Sequence, residues 1–189
     1  MKIRVATKKD LKRLIQLEMS IIDDMQTQLY RELGPERSEQ LIFEASLRDP
    51  NGRYHHSRAI VAEEDGQIIG IAYGFPAEDE TSVNLELDRL TEEKFKIKEK
   101  FFPNSEVYGD EWYLDSLVVD EHFRNRGVGT ALLASSSEMA KKAGKKVIGL
   151  NVDDSNPKAK ELYERVGFKE VNRVKIGPHN YTHMHRSLD

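Results

Sequence analysis

Leu117-Val118-Val119-Asp120-Glu121-His122-Phe123-Arg124-Asn125-Arg126-Gly127-Val128-Gly129-Thr130-Ala131-Leu132-Leu133 is the stretch on which the fold of this 189-residue chain turns. A β-branched apolar run gives way to a basic turn with two glycines, and then to apolar residues at helical spacing. Gly127 and Gly129 let a backbone approach a ligand closely. The first helical turn after them presents unpaired N–H groups and the positive end of its dipole. Arg124 and Arg126 add positive charge. The stretch reads as an anion site at a helix start; alone, it reads equally well as a tight strand-to-helix turn with surface arginines. Two nucleotide patterns fail here. The phosphate-binding loop of NTPases needs Lys and then Ser or Thr after its last glycine, whereas Thr130-Ala131 follow Gly129. The dinucleotide fingerprint needs three spaced glycines, and residues 124–132 hold two.

Outward from this turn the chain alternates strands and helices. Trp112 to Val119 reads as a central strand, Val128 to Ala143 as a helix ending at Gly144, and Lys146 to Val152 as a second buried strand. Pro157 to Val166 is a short helix closed by Gly167, and Val171 to Val174 with Tyr181 to Arg186 form a last strand pair. Toward the N-terminus, Ile3 to Val5 is a short strand, and Thr7 and Asp10 start a helix through Leu11, Leu14, Ile15, Leu17, Ile21, Ile22 and Met25. That helix is expected to break at Gly34-Pro35. A further helix runs from Glu36 to Leu47 and stops at Asp49-Pro50-Asn51-Gly52. Arg58 to Glu63 and Gln67 to Phe75 flank Glu64-Asp65-Gly66 as a hairpin. Leu85 to Phe102 is highly charged and helix-prone, part of an insertion around 76–107 in a single domain spanning 1–189. Its stretch Glu86 to Lys100 reads as a solvated helix rather than the lining of an acceptor groove.

Composition narrows the function. The 29 basic and 33 acidic side chains are interspersed for a net charge of −4, without the basic stripe of a nucleic-acid binder. No apolar run is long enough for a membrane span, and no apolar leader precedes the first strand, so neither nucleic acid nor membrane is expected as a partner and a cytoplasmic location is. With no cysteines, disulfides, thiolate metal sites and a Cys nucleophile are excluded together. No metal site is expected: the adjacent His55 and His56 would point apart in a strand. His183 and His185 fall on one face of the last strand and read as packing or surface groups.

Residues 117–133 closely resemble the central acetyl-CoA motif of the GNAT superfamily of N-acetyltransferases. Asn156-Pro157 and then Leu162-Tyr163-Glu164-Arg165-Val166-Gly167-Phe168 follow at the family's usual distance, so the resemblance spans Trp112 to about Val171. It implies an α/β fold with a mixed, mostly antiparallel central sheet, splayed central parallel strands and flanking helices. It implies acetyl transfer from acetyl-CoA to a primary amine, on a small molecule or on a peptide or protein, by direct attack. A second reading is an acetyl-CoA-binding regulatory module without turnover. A homodimer is compatible with such a fold. By the resemblance, strand residues Leu117, Val118 and Val119 lie along the pantetheine arm, with Leu117 and Val119 bonding it through their backbone. Arg124, Asn125, Arg126, Gly127, Val128 and Gly129 hold the pyrophosphate, and Thr130 belongs to the same cofactor-binding set. Asn156 contacts the cofactor arm, besides capping the helix that Pro157 opens. The Tyr163 hydroxyl sits near the thioester sulfur as proton donor.

The resemblance does not extend to the general base. Several relatives carry a Glu where this chain has Asn151, and a neutral amide does not accept the proton. Asp115 is the replacement candidate, on the expectation that it shares a strand face with Leu117 and Val119 and that apolar surroundings raise its pKa. A structural carboxylate is the equal alternative.

Overall fold

The computed structural model describes all residues, 1–189. Seven strands, β1 (Lys2–Val5), β2 (Ala59–Glu64), β3 (Gln67–Pro76), β4 (Trp112–Val119), β5 (Val147–Asp153), β6 (Lys169–Ile176) and β7 (His179–Ser187), form one sheet in the order β1-β2-β3-β4-β5-β7-β6. Every pairing is antiparallel except β4 with β5. The expected α/β architecture is therefore the observed one.

The helices divide between the two faces. On one lie α1 (Leu11–Met25), α2 (Gln28–Leu33), α3 (Pro35–Arg48) and α4 (Leu85–Phe95), whose apolar residues share a core with Val61, Ile71, Tyr73 and Val118. On the other lie α5 (Val128–Lys142) and α6 (Pro157–Arg165), packed with Trp112, Leu114, Ile148, Leu150 and Met184. Side-chain alternation along each strand produces the two cores. No helix is long and apolar enough to cross a membrane.

Three departures from the sequence reading shape the site. The first helix does not run to Gly34: it ends at Met25, where Gln26 turns left-handed at φ 48°, and Thr27 caps α2 by accepting the Tyr30 N–H at 3.4 Å. The helix expected over 85–102 stops at Phe95, and it is not solvated all round. Leu87, Leu90 and Thr91 are buried, while Glu86, Arg89 and Glu93 pair on the outer face. The chain after it is non-helical and buries Phe101 and Phe102 in the core of the α1 face.

The third departure is in β4. Tyr73 pairs with Ser116 and Gly74 with Leu114, so Asp115 is an extra residue, a β-bulge. Leu114 lies in the α5-side core and Val118 in the α1-side core, with Leu117 and Val119 back against the α5 side. The bulge shifts the strand parity, and Asp115 turns toward the α1 face, away from Leu117 and Val119. The expected shared face is thus overturned by one inserted residue.

Candidate functional site

β4 and β5 pair only through Trp112–Leu114 and Ile148–Leu150. Beyond that point they diverge, because β4 follows β3 while β5 follows β7. The gap is a cleft of about 440 Å³ lined from β4, β5, α1, α6 and the β6–β7 turn. A parallel pair that separates in mid-sheet leaves backbone groups without a ladder partner. The Asp120 N–H donates to the Ile69 carbonyl on β3 at 2.9 Å. Alternation along the strand then sends the amide groups of Val119 and Leu117 to the opposite, open edge. Val118 differs: its side chain is buried in the α1-side core and its amide groups face β3.

At the end of this edge, the 124–130 turn leaves a run of backbone N–H groups open. Asn125 and Gly127 adopt φ of 61° and 81°, and Gly127 is the N-cap of α5. The first intrahelical bond runs from Ala131 N–H to Gly127 C=O, and the N–H groups of residues 125–130 have no protein acceptor. Gly129 is helical; a side chain there would meet Leu162 at 3.5 Å, an ordinary contact, so Gly129 is not required by packing within the chain. The arginines are partly engaged. Arg124 Nε donates to the Val119 carbonyl at 3.3 Å, and Arg126 pairs with Glu64 at 2.6 Å and lies over Phe123. Arg13 of α1 bonds Asp120 at 2.5 Å and ties the turn to the other face.

α6 forms the second wall. The Asn156 side-chain oxygen accepts the Ala159 N–H at 3.2 Å, which leaves its amide nitrogen for another partner. Tyr163 lines the cleft with its ring edge-on to Phe168, and burial pushes its phenol up to about 12.

The third wall is acidic. Glu18, on the apolar stripe of α1, is 1% exposed, and one oxygen accepts the Ser116 hydroxyl at 2.6 Å while the other has no partner. Burial pushes its carboxyl up to about 8, and the nearby Asp115 charge acts in the same direction. Asp115 is engaged by Arg53: Nε meets Oδ2 at 2.9 Å and the terminal nitrogen meets Oδ1. The same Arg53 nitrogen reaches Glu106 at 2.7 Å, and the guanidinium lies 3.6 Å from the centre of the Phe102 ring. Burial raises Glu106, against the opposing pull of Arg53. Asn151 donates to the Glu106 carbonyl at 2.8 Å and to the Tyr113 hydroxyl at 3.1 Å. Asp24 and Asp153 also line the cleft, and together with burial they push the Tyr181 phenol up.

The fold thus brings Leu117, Asn156 and Tyr163 around one cleft that Asp115 also lines in its ion pair with Arg53, while Val119 and the 124–130 turn follow along the same strand edge outside the cleft's lining. Sequence reading missed Glu18, Arg53 and Glu106. Glu18 left a signal, as an acid four residues from both Leu14 and Ile22 on a buried stripe. Arg53 and Glu106 left none, since nothing local distinguishes them from surface charges.

The chain is similar to a solved acetyltransferase, at 38% identity with a TM-score of 0.86 and all of both chains aligned. It is 25% identical over 143 residues to an uncharacterized N-acetyltransferase of Bacillus subtilis, covering 76% of each chain. It is 44% identical over 62 residues to one from Methanocaldococcus jannaschii, a match covering 33% of this chain and 27% of that relative's length. The model of the acetyltransferase (GNAT) family matches residues 19–168, which hold the open strand edge, the turn and the α6 wall, with Glu18 one residue outside the match. The chain belongs to the GNAT acetyltransferase family.

Proposed function

We propose that this protein transfers the acetyl group of acetyl-CoA directly to a primary amine in the cleft between β4 and β5. The observation that carries this is the splitting of the two strands. It leaves an open strand edge, leading on to a run of free N–H groups, on one side of the cleft and a buried carboxyl on the other. These residues suit a donor with a diphosphate at one end and an amide-bearing arm leading to a thioester. The N–H groups of 125–130 and the dipole of α5 neutralise phosphate charge, while Leu117 and Val119 continue their ladder onto the arm. The Asn156 amide nitrogen bonds the same arm. Bound there, the donor supplies an electrophilic carbonyl and a thiolate leaving group.

Glu18 is the general base in this reading. The acceptor arrives as an ammonium ion, drawn by Asp24, Asp153 and the Glu106–Asp115 pair, for which Arg53 is the one buried cation. A carboxyl titrating at about 8 takes one proton from it at working pH, through the unpartnered oxygen or a bridging water. Backbone N–H at the open edge near Val119 stabilises the charge on the attacked carbonyl oxygen. Tyr163, holding its own proton tightly, donates a hydrogen bond to the departing sulfur. Of the three ammonium protons, one passes to Glu18, one to the sulfur, and one stays on the amide. Asp115 is a positioning residue here, because both its oxygens are held by Arg53.

Release of free CoA is to be followed across a panel of amines: diamines, aminoglycoside-like compounds and peptides with free N-termini or lysines. Amine-dependent release is expected. Binding of acetyl-CoA with no release from any amine would assign a binding module instead.

A further inference from the structure

Apart from the cleft chemistry, three ligand-type side chains from distant parts of the chain converge on the far side of Asn151. Glu111, just before β4, is fully buried, and His183 on β7 is 1% exposed. Glu111 Oε2 lies 3.0 Å from His183 Nε2 and 2.7 Å from His185 Nε2. The three ligand atoms all fall within 4.8 Å of one another. Room for them is made by Gly149 on β5, where a Cβ would stand 1.5 Å from Glu111 Oε2 and 3.0 Å from His183 Nε2.

The polarity of the surrounding hydrogen bonds fixes what these atoms present. The Asn151 amide nitrogen donates to the Glu106 carbonyl, an obligate acceptor, so its oxygen faces His183. His183 Nδ1, 2.6 Å away, must therefore carry a hydrogen. Its Nε2 points at the Glu111 oxygen. The other oxygen of Glu111 accepts the Tyr108 N–H at 2.9 Å. His185 Nε2 is also buried and forms no aligned hydrogen bond despite its short distance to Oε2. Two imidazole nitrogens and a carboxylate oxygen thus face one point, and His185 Nε2 among them is buried without an aligned partner.

We propose that Glu111, His183 and His185 bind a divalent first-row transition cation, with Zn²⁺ the best match to two imidazoles and a carboxylate. The outer bonds are those of a ligand set: the second nitrogen of His183 donates to an amide oxygen, and the second carboxylate oxygen is held by a backbone N–H. The cation pins β7 to the segment entering β4, close to Glu106 and its hold on Arg53. Its role is structural, so its signature is stability and stoichiometry rather than turnover. Sequence spacing could not show it, because His183 and His185 lie over seventy positions from Glu111.

The full-length chain, stripped with chelator and dialysed, is to be titrated with Zn²⁺ and separately with Co²⁺. The expected results are one Zn²⁺ per chain by elemental analysis, ligand-field absorption from Co²⁺, and a Tm that rises with Zn²⁺. His185→Ala, at the most exposed of the three positions, and Glu111→Gln should lose the bound metal and the Tm response. Asn151→Ala should weaken Zn²⁺ binding by ~10–100-fold. The Co²⁺ spectrum of the unmutated chain needs no variant to fold. Sub-stoichiometric Zn²⁺ with no Co²⁺ bands, or retention unchanged in both His185→Ala and Glu111→Gln, would overturn the site.

Discussion

The two sides of the cleft are built in opposite ways. The donor side is built chiefly from one stretch: the open edge of β4, the turn and the start of α5 come from residues 117–130 and act through backbone amides, with Asn156 and Tyr163 added from the neighbouring α6. The acceptor side is non-local: Glu18, Arg53, Glu106 and Asp115 come from four separate segments and act through side chains held by one another. Backbone groups in a short loop tolerate side-chain change so long as φ is kept. A buried charge network fails when any one member is lost. Donor recognition should therefore respond to substitutions in one loop, while chemistry and stability respond to positions scattered over a hundred residues.

The largest effect is expected at Arg53. Arg53→Met leaves Asp115 and Glu106 buried without their cation and should cost ~3–5 kcal/mol in urea denaturation. Arg53→Lys should recover only part of this, because a point charge cannot bond both carboxylates as the guanidinium does. A loss under 1 kcal/mol for Arg53→Met would show that the acidic wall is not held by this residue.

Glu18→Gln comes next, with a fall in kcat of ~10²–10⁴-fold. The same substitution has a stability signature. In the folded chain Glu18 keeps its proton up to about pH 8, whereas the unfolded chain releases it near its ordinary 4.5. Its contribution is complete below the unfolded value and is lost as pH rises from there through about 8. Glu18→Gln should gain on the parent above that pH, by roughly 1.4 kcal/mol for each unit of the shift. Denaturation midpoints at mildly acidic and mildly alkaline pH check the sign.

Smaller effects belong to the donor side. Gly127→Ala forces a side chain into left-handed backbone and should cost ~1–2 kcal/mol, with weaker acetyl-CoA binding by calorimetry. Nothing lies within 4 Å of the added Cβ, so Gly127→Asn should be milder. Asn156→Ala should remove ~1 kcal/mol of capping from α6 and weaken acetyl-CoA binding further than the cap loss alone explains.

The same contrast explains what the sequence made legible. β4, the turn, α5 and α6 were readable because period, glycines and the Asn-Pro cap lie within a few residues of the structure they dictate. The early end of α1 was hidden because a left-handed Gln26 has no strong composition signal. The bulge at Asp115 was hidden because only pairing with β3 reveals the extra residue, and it reversed the face inferred for that side chain. Glu86 to Lys100 reads as solvated because its apolar residues are sparse, although Leu87 and Leu90 are buried.

The division between the two sides is tested most directly by pairing acetyl-CoA affinity with turnover of one accepted amine in Glu18→Gln and Gly127→Ala. Glu18→Gln should leave the acetyl-CoA Kd unchanged, lower kcat, and abolish the rise of kcat/KM with an inflection at about pH 8. Gly127→Ala should weaken the Kd and keep that inflection. Full turnover with an unaltered pH profile in Glu18→Gln, or loss of acetyl-CoA binding in that variant, would contradict the account.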